Sequence, residues 1–149
     1  MFKKILLPIS SEQELPVNAL KRACELTCSF KSELYILYVI EERRLEKLEH
    51  VSEYILTYHH IEKIKKEIEE ARIKTTKRSI FETIDNVCEK KGVVAKKMVT
   101  IGQYSKEILK AVKKHKIDLI VLEFVRSSLL YFQIFEKSPV PVWVEGVKH

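Results

Sequence analysis

Few residues in this chain of 149 are of a type and spacing that could do chemistry. Arg126, Ser127 and Ser128 place a guanidinium beside two hydroxyls just ahead of a helical stretch, a set able to hold a phosphate or sulfate. The plainer reading makes Ser127 or Ser128 a helix cap and leaves Arg126 in solvent. Cys24 and Cys28, spaced i,i+4, can share a helix face, but a metal would need further ligands and no paired Cys or His motif supplies them. Thiols in or beside the core are the simpler account. His59-His60 is followed by Ile61-Glu62-Lys63 with no second His one turn on, which is not a zinc-protease pattern; these histidines are expected to mark a helix break. The two aspartates are Asp85 and Asp118, and Asp118 falls at the start of a strand, where a structural role is expected. There is no Gly-x-Ser-x-Gly elbow and no recognisable Cys/His dyad. The expectation is a protein without catalytic residues and without a metal.

Composition narrows the classes further. The three glycines are Gly92, Gly102 and Gly146, so the first 91 residues hold none. A phosphate-binding glycine loop or a dinucleotide fingerprint after the first strand is therefore excluded. With 46% apolar residues the chain can build a core, and its length suits one domain, 1–149. The most apolar stretch, Ile117 to Val125, is interrupted by Asp118 and Glu123, far from the roughly 20 apolar residues a membrane span needs. The basic start runs into apolar residues that end at Ser10, too short for a signal peptide. Three cysteines without a framework fit a reducing compartment, so a cytoplasmic location is expected. Glutamate outnumbers aspartate by 19 to 2 and lysine outnumbers arginine by 21 to 6, a heat-adapted trend. The net charge of +6 is concentrated in residues 61–116, which carry 16 basic against 8 acidic side chains. Such a surplus can attract nucleic acid. The interleaving of Lys and Glu over residues 62–70 is better explained by paired, solvated helix faces, so a nucleic-acid partner is not expected.

The elements that must position these residues follow from periodicity. Lys4-Ile-Leu-Leu-Pro-Ile9 and Leu34–Ile40 are continuous apolar runs, the mark of strands covered on both faces. Ser11-x-x-Glu14 has capping-box spacing with Pro16 near the first turn, opening a helix to about Phe30 through Val17, Leu20, Ala23, Cys24 and Thr27. Residues 41–91 lack Gly and Pro and repeat apolar side chains every three or four positions. The pattern predicts a shorter helix near 43–57, a break around Thr57–His60 and a long helix ended by Gly92. A third strand over Val93–Ile101, a turn at Gly102 and a helix from Ser105 to His115 follow, with Ile108, Leu109 and Val112 inward. Asp118–Leu122 is a fourth strand, Leu129–Lys137 a short helix and Val140–Val144 a last strand. Alternating strands and helices predict one α/β domain with a parallel sheet and right-handed crossovers. The aromatic-rich final helix, with Tyr131, Phe132, Ile134 and Phe135, could form a groove for a ligand, but packing on the sheet is the simpler role.

Several blocks, taken in order, resemble the universal stress proteins: Lys4-Ile-Leu-Leu-Pro-Ile, Ala19-Leu-Lys-Arg-Ala-Cys-Glu-Leu, Glu33-Leu-Tyr-Ile-Leu-Tyr-Val, Gly102 with Glu107-Ile-Leu-Lys-Ala, Lys116-Ile-Asp-Leu-Ile-Val-Leu, and Ser138-Pro-Val-Pro-Val-Trp-Val. The resemblance implies a doubly wound five-stranded parallel sheet of order 3-2-1-4-5, the adenine nucleotide alpha hydrolase-like fold. A ligand crevice belongs where the strand order reverses, between strands 1 and 4. There Ile9, Ser10, Val39, Ile40, Gly102 and the stretch from Glu123 through Arg126, Ser127 and Ser128 are expected as lining. ATP-binding members carry an Asp after strand 1 and a Gly-x2-Gly-x9-Gly-(Ser/Thr) loop after strand 4. Here Ser10 takes the Asp position, Glu123 that of the first glycine, and the loop is about eight residues short of the motif. No cofactor is therefore expected, with ATP or AMP as the ligand an intact site would take.

The resemblance also implies a homodimer through the last strand, with Val140, Val142, Trp143 and Val144 at the interface, since an exposed edge of β-branched and aromatic residues invites pairing. The combined expectation is a non-enzymatic stress-response regulator that has lost the ATP loop and acts through dimerisation and contact with a protein partner. The alternative is an adenine-nucleotide-binding domain that uses a rearranged loop around Arg126 and Ser127.

Overall fold

The computed structural model describes residues 2–41, 58–124 and 130–146. Its apolar runs become strands β1 (Lys4–Ser10), β2 (Glu33–Glu41), β3 (Ala95–Gly102), β4 (Leu119–Glu123) and β5 (Val142–Glu145). Between them lie helices α1 (Val17–Phe30), α2 (Tyr58–Lys90), α3 (Tyr104–His115) and α4 (Leu130–Lys137). The sheet order is β3-β2-β1-β4-β5 and every pairing is parallel. This is the order anticipated from the sequence.

Alternation within the strands explains why the apolar runs are continuous. Ile5, Leu7 and Ile9 of β1 point to one face with Leu34, Ile36, Tyr38 and Ile40 of β2, where Leu20, Ala23 and Cys24 of α1 and Ile84 and Cys88 of α2 cover them. Leu6 points to the other face with Leu37, Val39, Ile120 and Leu122, beneath Tyr104, Ile108 and Val112 of α3 and Ile134 of α4. Each strand thus feeds two cores, and successive residues are buried on opposite sides. Asp118 acts as the sequence suggests. Its carboxylate accepts the Lys3 and Lys4 backbone N–H groups at 2.8 and 2.9 Å and joins the start of β1 to the entry of β4.

Several local expectations change. The capping box is not formed: α1 starts after Pro16, which makes no side-chain cap, and Val17 is exposed. Ser11 instead accepts the Glu41 N–H at 3.0 Å and Ser10 accepts that of Glu12 at 3.1 Å, because Pro16 moves the helix start beyond their reach. The break expected around Thr57–His60 does not extend to His59-His60, which lie in the first turn of α2; the helix expected over 43–57 lies outside the described residues. Gly92, with φ +69°, ends α2 as anticipated. Where glycine is absent, lysine takes the same role. Lys31 after α1 and Lys116 after α3 adopt left-handed φ of 53° and 54°. Val93 and Val140 fall outside the strands assigned to them, and Leu109 is only half-buried.

Candidate functional site

The strand order reverses between β1 and β4, and the crevice sits at their carboxyl ends. Pro8, Ile9 and Ser10 come from β1, Glu123 from β4, Tyr104 from the start of α3, and Gln13, Glu14 and Pro16 from the β1–α1 connection. Among the described residues these side chains enclose about 20 Å³, room for about one water molecule. Pockets that hold drug-sized molecules run to about 300 Å³ or more.

Of the residues expected here, Ile9, Ser10 and Glu123 come together. Val39 and Gly102 are not among the described residues that line this space. Val39 packs its side chain into the core beneath α3, while its carbonyl accepts the Ser11 N–H at 2.9 Å. Gly102 pairs with Glu41 at the end of β3, separated from β4 by β2 and β1, and a Cβ there would lie 2.7 Å from Glu107 Oε1. Ile40 is buried in the core on the α1 and α2 side. Arg126, Ser127 and Ser128 lie outside the described residues. Gln13, Glu14, Pro16 and Tyr104 were not anticipated. Tyr104 follows Gly102 by two residues and reaches the crevice because its hydroxyl donates to the Pro8 carbonyl at 3.4 Å.

Glu123 defines the electrostatics. Its Oε1 accepts the backbone N–H groups of Asn18 at 2.9 Å and Ala19 at 3.2 Å. These are the second and third residues of α1, whose N–H groups have no partner within the helix. A carboxylate from β4 therefore does what an Asp or Ser at the cap position would do, and it also meets the positive end of the helix dipole. The anion-binding position of α1 is filled by the chain itself. Glu14 adds a second carboxylate to the lining.

Beyond the crevice, the last strand presents Trp143 and Val144 to solvent at the outer edge of the sheet. Val140 and Val142 are half-buried and pack against the α3-side core, so of the four residues expected at an interface only the other two stand clear of it. Arg22 holds this edge. Its guanidinium meets Glu145 at 3.0 Å and lies 5.7 Å from the centre of the Trp143 ring. The hydrogen bond that Arg22 donates to Glu145, and then the charge of Glu145, raises the Arg22 pKa. In the basic stretch 61–116, Lys97 meets Asp85 at 2.6 Å, Lys96 meets Glu33 at 3.4 Å and Lys110 meets Glu107 at 3.7 Å. In the final helix, Ile134 is buried and Gln133 accepts a hydrogen bond from Ser105 at 2.9 Å, so α4 packs on α3, while Phe135 is exposed. Among the described residues no cluster of three or more His, Cys, Asp or Glu could hold a metal ion, and no helix is long and apolar enough to cross a membrane.

The model of the Universal stress protein family matches residues 1–144. Several solved structures share the fold, among them the following three. A hypothetical protein whose biochemical function was assigned from its structure is 24% identical, with a TM-score of 0.72, over 100% of this chain and 99% of its own. The universal stress protein UspA from Lactobacillus plantarum is 20% identical, with a TM-score of 0.70, over 96% and 97%. A family member from Arabidopsis thaliana, solved with AMP bound, is 17% identical, with a TM-score of 0.63, over 98% and 92%. No match was found among curated protein sequences.

Proposed function

The chain belongs to the universal stress protein family, and we propose that it is a non-enzymatic stress-response regulator of that family, acting through homodimerisation and protein contacts rather than through bound ATP. The observation that carries this reading is the Glu123 carboxylate on the amino end of α1. A nucleotide phosphate seeking those N–H groups would have to displace a covalently attached anion and then sit beside it. Two like charges a few ångströms apart in a half-buried site repel strongly. Glu14 lines the same space and adds a second negative charge to it. The scarcity of glycine points the same way, since a backbone cradle for a triphosphate needs glycines that approach the oxygens closely. Isothermal titration calorimetry with ATP and with AMP tests the reading: no heat of binding is expected, and a micromolar Kd for either would overturn it.

A second reading draws on the Arabidopsis thaliana relative, which holds AMP. A monophosphate asks less of a loop than a triphosphate does, and Arg126 with Ser127 offers the chemistry to hold one. On this reading AMP raises the Tm of the wild-type protein and Arg126→Ala abolishes the rise. An unchanged wild-type Tm at millimolar AMP rejects it.

A further inference from the structure

Cysteines 24 and 88 are 64 positions apart in sequence, yet their Sγ atoms are 3.5 Å apart at the α1–α2 contact, and both side chains are buried. Sequence spacing paired Cys24 with Cys28; the fold pairs it with Cys88 instead. Cys28, one turn further along α1, is exposed and its thiol donates to the Lys91 carbonyl at 3.3 Å. The three thiols thus gather where α2 ends and the chain turns at Lys91–Gly92 toward β3. We infer that Cys24 and Cys88 are a dithiol modification site, which a peroxide converts to an intramolecular disulfide tying α1 to the end of α2.

The geometry needs little movement. A disulfide brings the sulfurs to about 2.05 Å, so from 3.5 Å each must advance by about 0.7 Å. Side-chain rotation with a small shift of one helix on its neighbour supplies that. Access is provided by position. Cys88 lies in the last turn of α2, where helices fray most readily, and peroxide is scarcely larger than water.

The order of events follows from the surroundings. The hydrogen bond between the two thiols, in which either sulfur can be the donor, lowers the Cys88 pKa, and Lys97 acts in the same direction against burial and Asp85. The same hydrogen bond and then burial raise the Cys24 pKa. Cys88, in the last turn of α2 where local opening admits peroxide, is the attacking sulfur. Its electron pair forms an S–O bond as the peroxide O–O bond breaks, and the departing hydroxide takes up the Cys88 proton to leave as water. Cys24 sulfur then attacks the sulfenic sulfur of Cys88, forming S–S and breaking S–O, and the second hydroxide departs with the Cys24 proton as water. Two thiols are oxidised by two electrons and one peroxide is reduced to two waters. Closing so long a loop restricts the unfolded chain, so the oxidised protein should melt roughly 5–15 °C higher.

This inference is independent of whether the crevice binds nucleotide. The test treats the whole chain with hydrogen peroxide, blocks remaining thiols with iodoacetamide in denaturant, and maps peptides without reduction. The expected result is a monomer lighter by about 2 Da with Cys24 joined to Cys88, one thiol left for alkylation, and full reversal by dithiothreitol. Cys28→Ser should react in the same way, and Cys24→Ser should leave a Cys88 sulfenic acid that dimedone traps. The wild-type peptide map decides the matter even if Cys24→Ser fails to fold. Three free thiols after treatment, dimers linked through Cys28, or oxygen additions without a Cys24–Cys88 peptide would each overturn the proposal.

Discussion

Glu123 caps α1 from across the crevice: its Oε1 accepts the Asn18 N–H at 2.9 Å although the two residues are 105 positions apart. One carboxylate thereby joins β4 to the start of the helix that follows β1, and it satisfies two backbone donors, since Ala19 shares it. Replacing a capping group costs about 1 kcal/mol. Glu123→Ala should lower the unfolding free energy by about that amount in urea denaturation with an unchanged m-value. Glu123→Gln, which keeps an acceptor oxygen but loses the charge facing the helix dipole, should lose roughly half as much. Equal stability of wild type and Glu123→Ala would show that the contact does not hold in solution.

Lys31 and Lys116 occupy the positions after α1 and α3 where helices most often place glycine. Their left-handed φ brings Cβ against the backbone, a cost of about 1 kcal/mol that glycine avoids. The strain is tolerated because the turns are fixed by other bonds: Ser32 N–H donates to the Thr27 carbonyl at 3.0 Å, and Ile117 N–H to that of Val112 at 3.0 Å. Lys31→Gly and Lys116→Gly should each raise stability by roughly 0.5 kcal/mol, the strain relieved less the extra freedom of glycine in the unfolded chain. Thermal melts of the single and double variants check this. A drop in Tm for both would mean that the lysine side chains contribute something the backbone conformation does not explain.

The central strands were legible because burial on both faces leaves a continuous apolar run in Ile5–Ile9 and Leu34–Ile40, while their order came from the resemblance to the universal stress proteins. So was the structural role of Asp118, from its place at a strand start. The cap of α1 was not. Local spacing offered Ser11 and Glu14, but Pro16 displaced the helix start, and the true cap arrives from β4 by tertiary approach alone. The Cys24–Cys88 contact was hidden for the same reason: sequence reveals that both face inward, not that two helices meet at those positions. Val39 and Gly102 were expected at the crevice because they lie at the carboxyl ends of strands 2 and 3. In space β2 and β3 lie on the far side of β1 from β4.

Glu33 and Lys96, at the start of β2 and on β3, form an exposed pair at 3.4 Å, and Tyr35 donates to the same Glu33 carboxylate at 3.2 Å. The hydrogen bond from Tyr35, then that from Lys96, lowers the Glu33 pKa below its ordinary value of 4.5. A depressed carboxylate pKa stabilises the fold above the unfolded value, and that contribution disappears as pH falls through the lower folded value. NMR titration of the Glu33 side chain should therefore give a midpoint below 4.5, and Tyr35→Phe should move it back upward. The accompanying acid sensitivity of stability should be small, because solvent screens the pair. A midpoint at or above the ordinary value would remove the basis for this linkage.

Trp143 is the single tryptophan and stands at the outer edge of the sheet with 42% of its surface exposed; Val144 beside it is 39% exposed. β5 pairs with β4 along one side, and the other side is the sheet's edge. Arg22 against the ring and the hydrogen bond from the indole N–H to Glu145 at 3.0 Å hold the side chain in one orientation. A pre-ordered aromatic loses little entropy on association, which is why such residues dominate interfaces. A second copy of the chain offers the matching edge, so light scattering at micromolar concentration should give twice the mass of one chain. Trp143→Glu and Val144→Lys each set an unpaired charge at that edge and should return the monomer mass with the far-UV spectrum unchanged. Emission from Trp143 should move to longer wavelength on dilution as the indole becomes solvated. A wild-type monomer at micromolar concentration with a dilution-independent spectrum would reject the edge as the dimer contact and leave Trp143 and Val144 free for a different protein.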